Sequence, residues 1–340
     1  MGQPLAVATL LAAAIILSAP YAQELFTAMG ATWPGTQFRV IAISATVVPA
    51  GVAMLYGVAR IRHRYLARYA LLALAVIIAA GYVFTNAPLV TEIFHFIEYG
   101  VLGYLFYRVW RSTGDVSVVV LPVVAGTIAG TLDEWFQWFI PMRSGEARDI
   151  VLNAVASVCG LLFALAVDPP EPLALRLQPG SGMRVARWAT AAGAVFVAFF
   201  LSVHVGYDVR DLEVGSFRSR YSSDALLRAS RDRADRWRSA PPIVRPRLGR
   251  EDQYLTEGLW HVARRNEAWA AGDVAGAWRE NRILEKFYAP VLDSSTSADG
   301  AQHRWPDAQR TDAGERRGNK GAPYASDEYA YPLFVWPVLR

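Results

Sequence analysis

Long runs of hydrophobic residues fill the first 206 positions, and polar residues dominate the remainder. Residues 1–206 contain 22 charged side chains and residues 207–340 contain 42. The pattern predicts an all-α fold, in which a polytopic transmembrane helical bundle precedes a small extracytoplasmic helical domain. About seven runs approach the ~20 residues that cross a bilayer as a helix, at 4–22, 37–58, 67–86, 88–111, 116–140, 148–167 and 185–206.

The first run has two interpretations. It is followed by Ala19-Pro20-Tyr21-Ala22, a small-residue stretch of the kind that is cleaved after a signal peptide. No Lys or Arg precedes the run, which favours an uncleaved membrane helix because signal peptides begin with a basic region. Cleavage would leave six spans and the same orientation for the others.

Arginine residues are distributed unevenly between the two sides of the predicted spans. If the spans alternate in direction, nine arginines fall on one side, and only Arg39, Arg143 and Arg148 fall in the opposite short segments. Cytoplasmic loops are enriched in Lys and Arg, so the first side is predicted to be the cytoplasm. We therefore predict a protein integral to the bacterial cytoplasmic (inner) membrane, with an extracytoplasmic C-terminal domain. The nine arginines are Arg60, Arg62, Arg64, Arg68, Arg108, Arg111, Arg176, Arg184 and Arg187.

Polar side chains recur near the predicted outer ends of the fourth, fifth and sixth spans. Such residues are costly in a membrane and usually face a protein interior or a cavity. At 1.5 Å per residue, His95 and Asp133 are expected about 10 Å below the same surface. The residues are therefore predicted to form one outward-facing polar cluster. Its members are His95, Glu98, Tyr99, Asp133, Glu134, Gln137, Arg143, Asp149 and Asn153.

The order and spacing of these residues resemble the VanZ-like membrane protein family over about residues 80–167. The family often has a glycine four residues after the asparagine of the last pattern, where this chain has Ser157, with Gly160 later. The resemblance implies a small polytopic membrane protein, linked in some members to resistance to glycopeptide antibiotics such as teicoplanin. It implies no established reaction. The matching patterns are His95-x-x-Glu98-Tyr99, Asp133-Glu134-x-x-Gln137, Pro141-x-Arg143 and Asp149-x-x-x-Asn153.

Three uses of the cluster remain open. The charged groups could simply pair with one another and stabilise the bundle. Arg143 and Arg148 could bind the phosphate of a lipid head group, with neighbouring acids orienting them. His95 could act as a general acid or base, with Glu98 or Asp133 setting its protonation state. No metal or other cofactor is expected, since a single His without Cys is an atypical set of zinc ligands.

The composition argues against several other classes of protein. The formal net charge of +4 is shared equally by the two halves, so no basic patch for nucleic acid is indicated. Cys159 is the only cysteine, which excludes an intrachain disulfide and every Cys-x-x-Cys motif. The polar half contains no P-loop and no dinucleotide-binding fingerprint.

Residues 207–290 are predicted to form the extracytoplasmic helical domain, with helices at about 222–239, 251–271 and 273–289. Gly272-Asp273 is typical of a helix end followed by a new N-cap, so the last two helices form an αα-hairpin. A single hairpin cannot bury its hydrophobic face alone. We expect it to pack on the first of these helices, on the membrane half or on a partner. Three polar residues are expected on its exposed face: His261, Arg264 and Arg265.

Residues 291–340 are predicted to be a disordered linker and an apolar docking tail. Residues 292–328 are rich in Ser, Asp, Gly, Arg and Ala, a composition typical of disorder. The segment 330–339 is apolar but contains Pro332 and Pro337, which exclude a regular helix. We expect this tail to dock onto its own domain or another protein.

These features favour a VanZ-like protein of the cell envelope that binds an amphiphile or lipid head group at the polar cluster. Two alternatives belong to other classes. One is an accessory or assembly subunit of a larger membrane complex, indicated by the protruding domain and its incomplete hairpin. The other is a membrane enzyme acting on a lipid-linked substrate. Membrane lipids are the expected partners, and residues 207–340 are the region through which a protein partner would bind.

Overall fold

The chain divides into two compact units, Met1–Gln137 with Gly145–Phe200, and Trp138–Ser144 with Leu201–Arg340. The computed structural model describes residues 2–33, 35–86, 92–140, 145–170, 174–239, 253–294, 303–316, 325–326 and 333–335.

Seven α-helices occupy the described residues up to position 203. Six of them are long and apolar enough to cross a membrane, judged by length and composition alone. The prediction of a polytopic all-α bundle is confirmed. The helices are α1 (Gly2–Thr32), α2 (Thr36–Arg60), α3 (Tyr65–Asn86), α4 (His95–Trp110), α5 (Ser117–Gln137), α6 (Ala147–Val167) and α7 (Ser181–Val203).

Helix α4 differs from the predicted fourth span. It has only 16 residues, fewer than the ~20 of a full span, and a short 3-10 helix, Glu92–Phe94, precedes it. His95 is therefore the first residue of α4, whereas the predicted span begins at residue 88. Residues 87–91 lie outside the described residues, and the depth of His95 below the membrane surface stays a prediction. Hydropathy detects apolar residues but does not show where helical backbone hydrogen bonding begins.

Close backbone contacts join α6 to α4 and α5. A Cβ atom added to Gly160 would collide with the backbone of Gly100, and one added to Gly103 would collide with the backbone of Ser157. Gly126 of α5 leaves no room for a Cβ beside the Ser157 side chain. Although Ser157 stands where the family often has glycine, its neighbouring helices supply the small residues that a close approach requires.

Two arginines bind the C-terminal end of α6. Arg68 donates hydrogen bonds to the carbonyl oxygens of Ala166 and Val167, the latter at 2.7 Å. Arg111 lies 2.7 Å from the carboxylate of Asp168. Cations favour a helix C-terminus because its exposed carbonyl groups carry partial negative charge. Two of the nine arginines from the predicted cytoplasmic side thus meet at one end of the bundle.

The second unit combines a small sheet with five helices among its described residues. Strand β1 pairs with β2 antiparallel and with β4 parallel, and β2 pairs with β3, which gives the order β3-β2-β1-β4. The β1–β2 hairpin was not predicted, although Val205, Tyr207 and Val209 alternate with more polar positions as in a strand. The elements are β1 (Val205–Asp211), β2 (Gly215–Ser219), α8 (Ser223–Ser239), α9 (Gln253–Ala270), α10 (Val274–Phe287), α11 (Ala289–Asp293), α12 (Asp307–Arg316), β3 (Ala325–Ser326) and β4 (Phe334–Val335).

Helices α9 and α10 form the predicted αα-hairpin. Gly272 has a φ of +79°, a conformation that favours glycine at a helix end. The side chain of Asp273 caps α10 by accepting a hydrogen bond of 2.9 Å from the backbone nitrogen of Gly276. The sequence signal at this turn is confirmed by both its backbone and its capping contact.

His261 and Arg265 are buried and Arg264 is partly exposed, so the expectation that this polar face of α9 is exposed was wrong. His261 Nδ1 lies 2.7 Å from Glu280 Oε2, and both side chains are buried. Arg264 Nε lies 3.1 Å from Glu280 Oε1. Arg265 donates to Asn281 of α10 at 3.1 Å and is also buried. Because acceptors on α10 match these donors, the hairpin can bury residues that composition assigns to the surface.

Helix α12 lies within the segment that was predicted to be disordered. Trp305 and Ala313 are buried together with Ala277 of the hairpin, and Arg310 donates to both carboxylate oxygens of Glu285. Burial of Trp305 and Ala313 and the bidentate ion pair attach this part of the segment to the hairpin. The chain itself therefore covers part of the hairpin.

The apolar tail docks onto its own domain at residues 333–335. Leu333 is buried, and the backbone nitrogen of Phe334 donates to the carbonyl oxygen of His204 at 2.6 Å. Strand β4 then pairs with Val205 and Gly206. The other residues of the predicted tail lie outside the described residues.

Acid is expected to weaken the attachment of α12. Burial raises the pKa of Glu285, but the hydrogen bonds and charges of Arg310 and Arg282 lower it below its usual value. A depressed carboxyl pKa stabilises the folded form fully above the unfolded pKa of ~4.3, and the stabilisation is lost as the pH falls through the folded pKa. Hydrogen exchange of Asp307–Arg316, corrected for intrinsic rates, should accelerate below about pH 4. Glu285→Gln should remove this extra acid sensitivity, and an unaltered profile in that variant would contradict the assignment.

Candidate functional site

Tyr99 connects α4 to α5 at the polar end of the bundle. Its hydroxyl donates a hydrogen bond of 3.0 Å to Asp133 Oδ2, and both residues are buried. The His95 ring stacks on Tyr99 with centroids 5.9 Å apart, and His95 Nδ1 lies 3.9 Å from Glu98 Oε2. The structure thus brings His95 and Asp133 to the same tyrosine, as expected if the two residues share one cluster.

Glu134 organises the connection between α5 and α6. Its carboxylate accepts a hydrogen bond of 3.1 Å from the backbone nitrogen of Glu146, and it lies 3.5 Å from Gln137 Nε2. Gly145 approaches the backbone of Glu134 so closely that a Cβ atom would collide with it. Glu134 is fully buried, and its contacts support the start of α6.

Arg148 gathers acidic side chains at the start of α6. Its guanidinium group lies 3.0 Å from Glu92 Oε1, 3.4 Å from Asp149 Oδ1 and 3.9 Å from Glu146 Oε2. The Arg148 side chain is about half exposed, whereas those of Glu92 and Asp149 are 14% and 16% exposed. The arginine charge is therefore already compensated by carboxylates within the protein.

Asn153 lies one helical turn further along α6 and is fully buried. Neither its amide nitrogen nor its amide oxygen has a hydrogen-bond partner among the residues that the structure describes. A Cβ atom at Gly130 of α5 would lie 3.2 Å from the amide nitrogen, which places the side chain between α5 and α6. Gly130 in turn precedes Asp133 by about one helical turn.

Sequence reasoning singled out most of these residues but missed Glu92 and Glu146. Both residues lie outside the α-helices of the bundle, and acidic residues are common in such connecting segments. In the sequence, only their position near the ends of apolar runs indicates that they could belong to the site. Arg143 and Pro141 lie outside the described residues. Among the side chains that the structure describes, no group of three His, Cys, Asp or Glu residues is arranged to hold a metal ion.

The described residues of the site form two layers. Glu92, Glu98 and Asp149, here called the outer carboxylates, remain partly exposed. The inner polar residues Tyr99, Asp133 and Asn153 are almost completely buried. The arrangement offers acceptors at two depths.

Comparison with known proteins shows that this region is similar to one protein family. The VanZ/LLP1 family model matches residues 7–168, which extends from α1 to the end of α6. The match is longer than the region of resemblance predicted from the motifs, and it contains the whole polar cluster. No curated protein and no solved structure shows significant similarity to the chain.

Proposed function

We propose that this VanZ-like membrane protein binds the polar head group of an amphiphile at the end of the bundle that carries the outer carboxylates. The observation that supports the proposal is Asn153, which is fully buried while both of its amide atoms lack partners within the described part of the chain. Buried polar atoms are nearly always hydrogen-bonded. If the cluster served only to stabilise the bundle, its donors and acceptors would be expected to pair with one another. In a binding site, some of them pair with the ligand instead.

The surrounding helices suit an amphiphile. Helices α5 and α6 supply Asp133 and Asn153 and are each apolar enough to cross a membrane. A ligand with a polar head and acyl chains would place its head among the polar side chains and its chains along these apolar helices. Ligand sites of this kind combine an apolar surface with a few convergent polar groups.

The two alternative functions receive less support. The accessory-subunit alternative depended partly on an incomplete hairpin, and α12 of the same chain now covers part of that hairpin. The enzyme alternative depended on His95, whose Nδ1 lies 3.9 Å from Glu98 Oε2. That separation is longer than a hydrogen bond, so the contact between His95 and Glu98 does not support the predicted role of Glu98 in setting the protonation state of the imidazole.

The proposal places the polar cluster on the extracytoplasmic side of the inner membrane. Arg68 and Arg111 lie at the opposite end of the bundle, at the C-terminus of α6. Because cytoplasmic ends are enriched in arginine, we propose that this arginine-rich end faces the cytoplasm. The head group would then come from the outer leaflet.

Cysteine labelling tests this orientation. His63→Cys and Asp235→Cys, each made in a Cys159→Ala background, place thiols at exposed positions. In intact spheroplasts, a membrane-impermeant maleimide is expected to label position 235, and to label position 63 only after permeabilisation. The reverse pattern would place the polar cluster on the cytoplasmic side.

Removal of one inner acceptor tests the binding site. Asp133→Asn keeps the size of the side chain but removes its charge, and hydrogen bonds to charged groups contribute ~1.5–3 kcal/mol. We expect the variant to bind its co-purifying amphiphile about tenfold more weakly, as measured by quantitative mass spectrometry of protein washed in detergent.

Asp168→Asn is the matched control, because it removes a carboxylate at the opposite end of the bundle. Equal retention of the amphiphile by the wild type and both variants would contradict the proposed site.

A further inference from the structure

We infer that the end of the bundle at which α6 terminates binds anionic lipids of the surrounding leaflet, through exposed arginines and two exposed leucines. This end is opposite to the polar cluster, and the inference does not depend on the head-group site proposed there. The surface is called the arginine surface and comprises eight residues: Arg60, Arg62, Arg64, Arg108, Arg176, Arg187, Leu175 and Leu177.

Three connecting segments of the chain meet at this end of the bundle. Ile61, in the turn between α2 and α3, is buried with Leu72 and with Ala166 at the end of α6. The backbone nitrogen of Ala174 donates a hydrogen bond of 2.8 Å to the carbonyl oxygen of Gly114, which joins the segment after α6 to the turn between α4 and α5. The arginines of these segments and of the adjoining helix ends therefore lie at one end of the bundle.

Asp115 fixes the segment that follows α6. Its buried carboxylate accepts hydrogen bonds of 2.9 Å from the backbone nitrogens of Ser117 and Gln178. Because Ala174 and Gln178 are both attached to the turn between α4 and α5, the residues between them form a loop that is held at its two ends. The same hydrogen bonds keep the Asp115 carboxylate inside the protein, away from the exposed arginines.

The loop held by Asp115 exposes two large apolar side chains. Leu175 is 84% exposed and Leu177 is 46% exposed, and the exposed Arg176 lies between them. Apolar side chains are less stable in water than in an apolar environment. In a membrane interface, such side chains enter the acyl boundary while basic side chains meet anionic head groups. The leucines therefore indicate that this loop lies in the interface, which positive charge alone would not indicate.

The positive charge of the arginine surface is not compensated by the described acids. None of its six arginines forms an ion pair with a carboxylate in the described part of the chain. Asp168 is already paired with Arg111, and Glu171, which lies outside the described residues, supplies a single negative charge. The remaining charge favours an anionic partner, since each basic residue near an anionic leaflet adds to the attraction.

Lipid phosphates are the anions that fit both features of the surface. Head groups surround a membrane bundle at its ends, and the planar guanidinium fork matches the geometry of a phosphate. A soluble polyanion would pair with the arginines but would leave the leucines in water. We therefore assign the arginine surface to lipids whose head groups carry a net negative charge.

Electron paramagnetic resonance tests the lipid preference. Full-length protein is reconstituted into phosphatidylcholine nanodiscs that contain a trace of spin-labelled phosphatidylglycerol or of spin-labelled phosphatidylcholine with the same acyl chains. We expect phosphatidylglycerol to associate with the protein at least about threefold more strongly, and about 0.5 M salt to reduce this difference because it screens exposed charges. Equal association of the two lipids at low salt would overturn the inference.

A double variant connects the preference to this end of the bundle. Arg176→Gln combined with Arg187→Gln should remove about half of the preference or more, with an unchanged thermal midpoint because both side chains are exposed. Arg39→Gln is the control, since it removes an exposed arginine near the beginning of α2, whose other end carries Arg60. An unchanged preference in the double variant, or an equal loss in the control, would overturn the assignment to the arginine surface.

A spin label at position 175 tests whether the leucines enter the membrane. Leu175→Cys is labelled in the Cys159→Ala background, and its collisions with oxygen, which concentrates in the bilayer, are compared with its collisions with a water-soluble nickel chelate. We expect a higher ratio of oxygen to nickel collisions at position 175 than in Asp235→Cys, an exposed position of α8. Equal ratios at the two positions would overturn the role assigned to the leucines.

Discussion

Gly160→Ala is expected to lower the stability of the bundle strongly, although it adds only one methyl group. The added Cβ atom would lie 2.6 Å from the carbonyl carbon and 2.8 Å from the Cα atom of Gly100. Backbone atoms of a helix cannot move aside as a flexible side chain can, so α4 and α6 would have to separate along their length. Overpacking typically costs about 1–3 kcal/mol, and we expect the upper end of that range.

Gly193→Ala in α7 is the matched control. A Cβ at this position would meet no described heavy atom within 4 Å, and alanine has a higher helix propensity than glycine. Thermal unfolding in one detergent should therefore show a lower midpoint for Gly160→Ala and an unchanged or higher midpoint for Gly193→Ala. Equal midpoints would show that α4 and α6 do not approach as closely as the structure indicates.

The second large effect is expected at Glu257 of the polar domain. This buried carboxylate accepts hydrogen bonds of 2.7 Å from the Ser219 hydroxyl, the Arg220 backbone nitrogen and the Tyr288 hydroxyl. Glu257→Ala would leave three donors without their acceptor, and each unsatisfied buried donor costs about 1–3 kcal/mol. We expect a loss of at least about 3 kcal/mol, a large part of the ~5–15 kcal/mol that stabilises a typical domain.

Hydrogen exchange of the full-length protein measures this loss locally. Glu257→Ala should accelerate exchange in β1, β2 and α9, whereas Glu267→Ala, at an exposed position of the same helix, should not. Adding Tyr288→Phe to Glu257→Ala should recover part of the stability because it removes one of the unsatisfied donors. No recovery would indicate that the tyrosine contact contributes little.

The sequence predicted the membrane helices well because hydrophobicity is averaged over ~20 residues in each span. It predicted the turn at Gly272-Asp273 because that turn depends on local backbone preferences. The beginning of α4, by contrast, depends on where backbone hydrogen bonds form. Helix α12 was not predicted because its order depends on the burial of Trp305 and Ala313 against the hairpin. This is a long-range contact that the composition of the segment does not reveal.

In the candidate site too, some features follow from local sequence spacing and others depend on long-range packing. Spacing on α4 placed His95 and Tyr99 on one face, and their stacked rings agree with it. The hydrogen bond from Tyr99 to Asp133 depends on how α4 and α5 pack, which a single sequence does not specify. Glu146 contributes its backbone nitrogen, which donates a hydrogen bond to Glu134. The identity of a side chain does not indicate that its backbone will act as a donor.

Because β4 pairs with β1, the sheet of the polar domain can be completed only late in the synthesis of the chain. Phe334 pairs with Val205. The first strand of this domain to be synthesised therefore cannot form this pairing until one of the last segments of the chain has been made. Contacts that are so distant in sequence form slowly, because chain entropy must be lost before they contribute. Until residue 335 has been translated, the β4-facing edge of β1 lacks this native partner. Unpaired strand edges of this kind favour association with other chains before folding is complete.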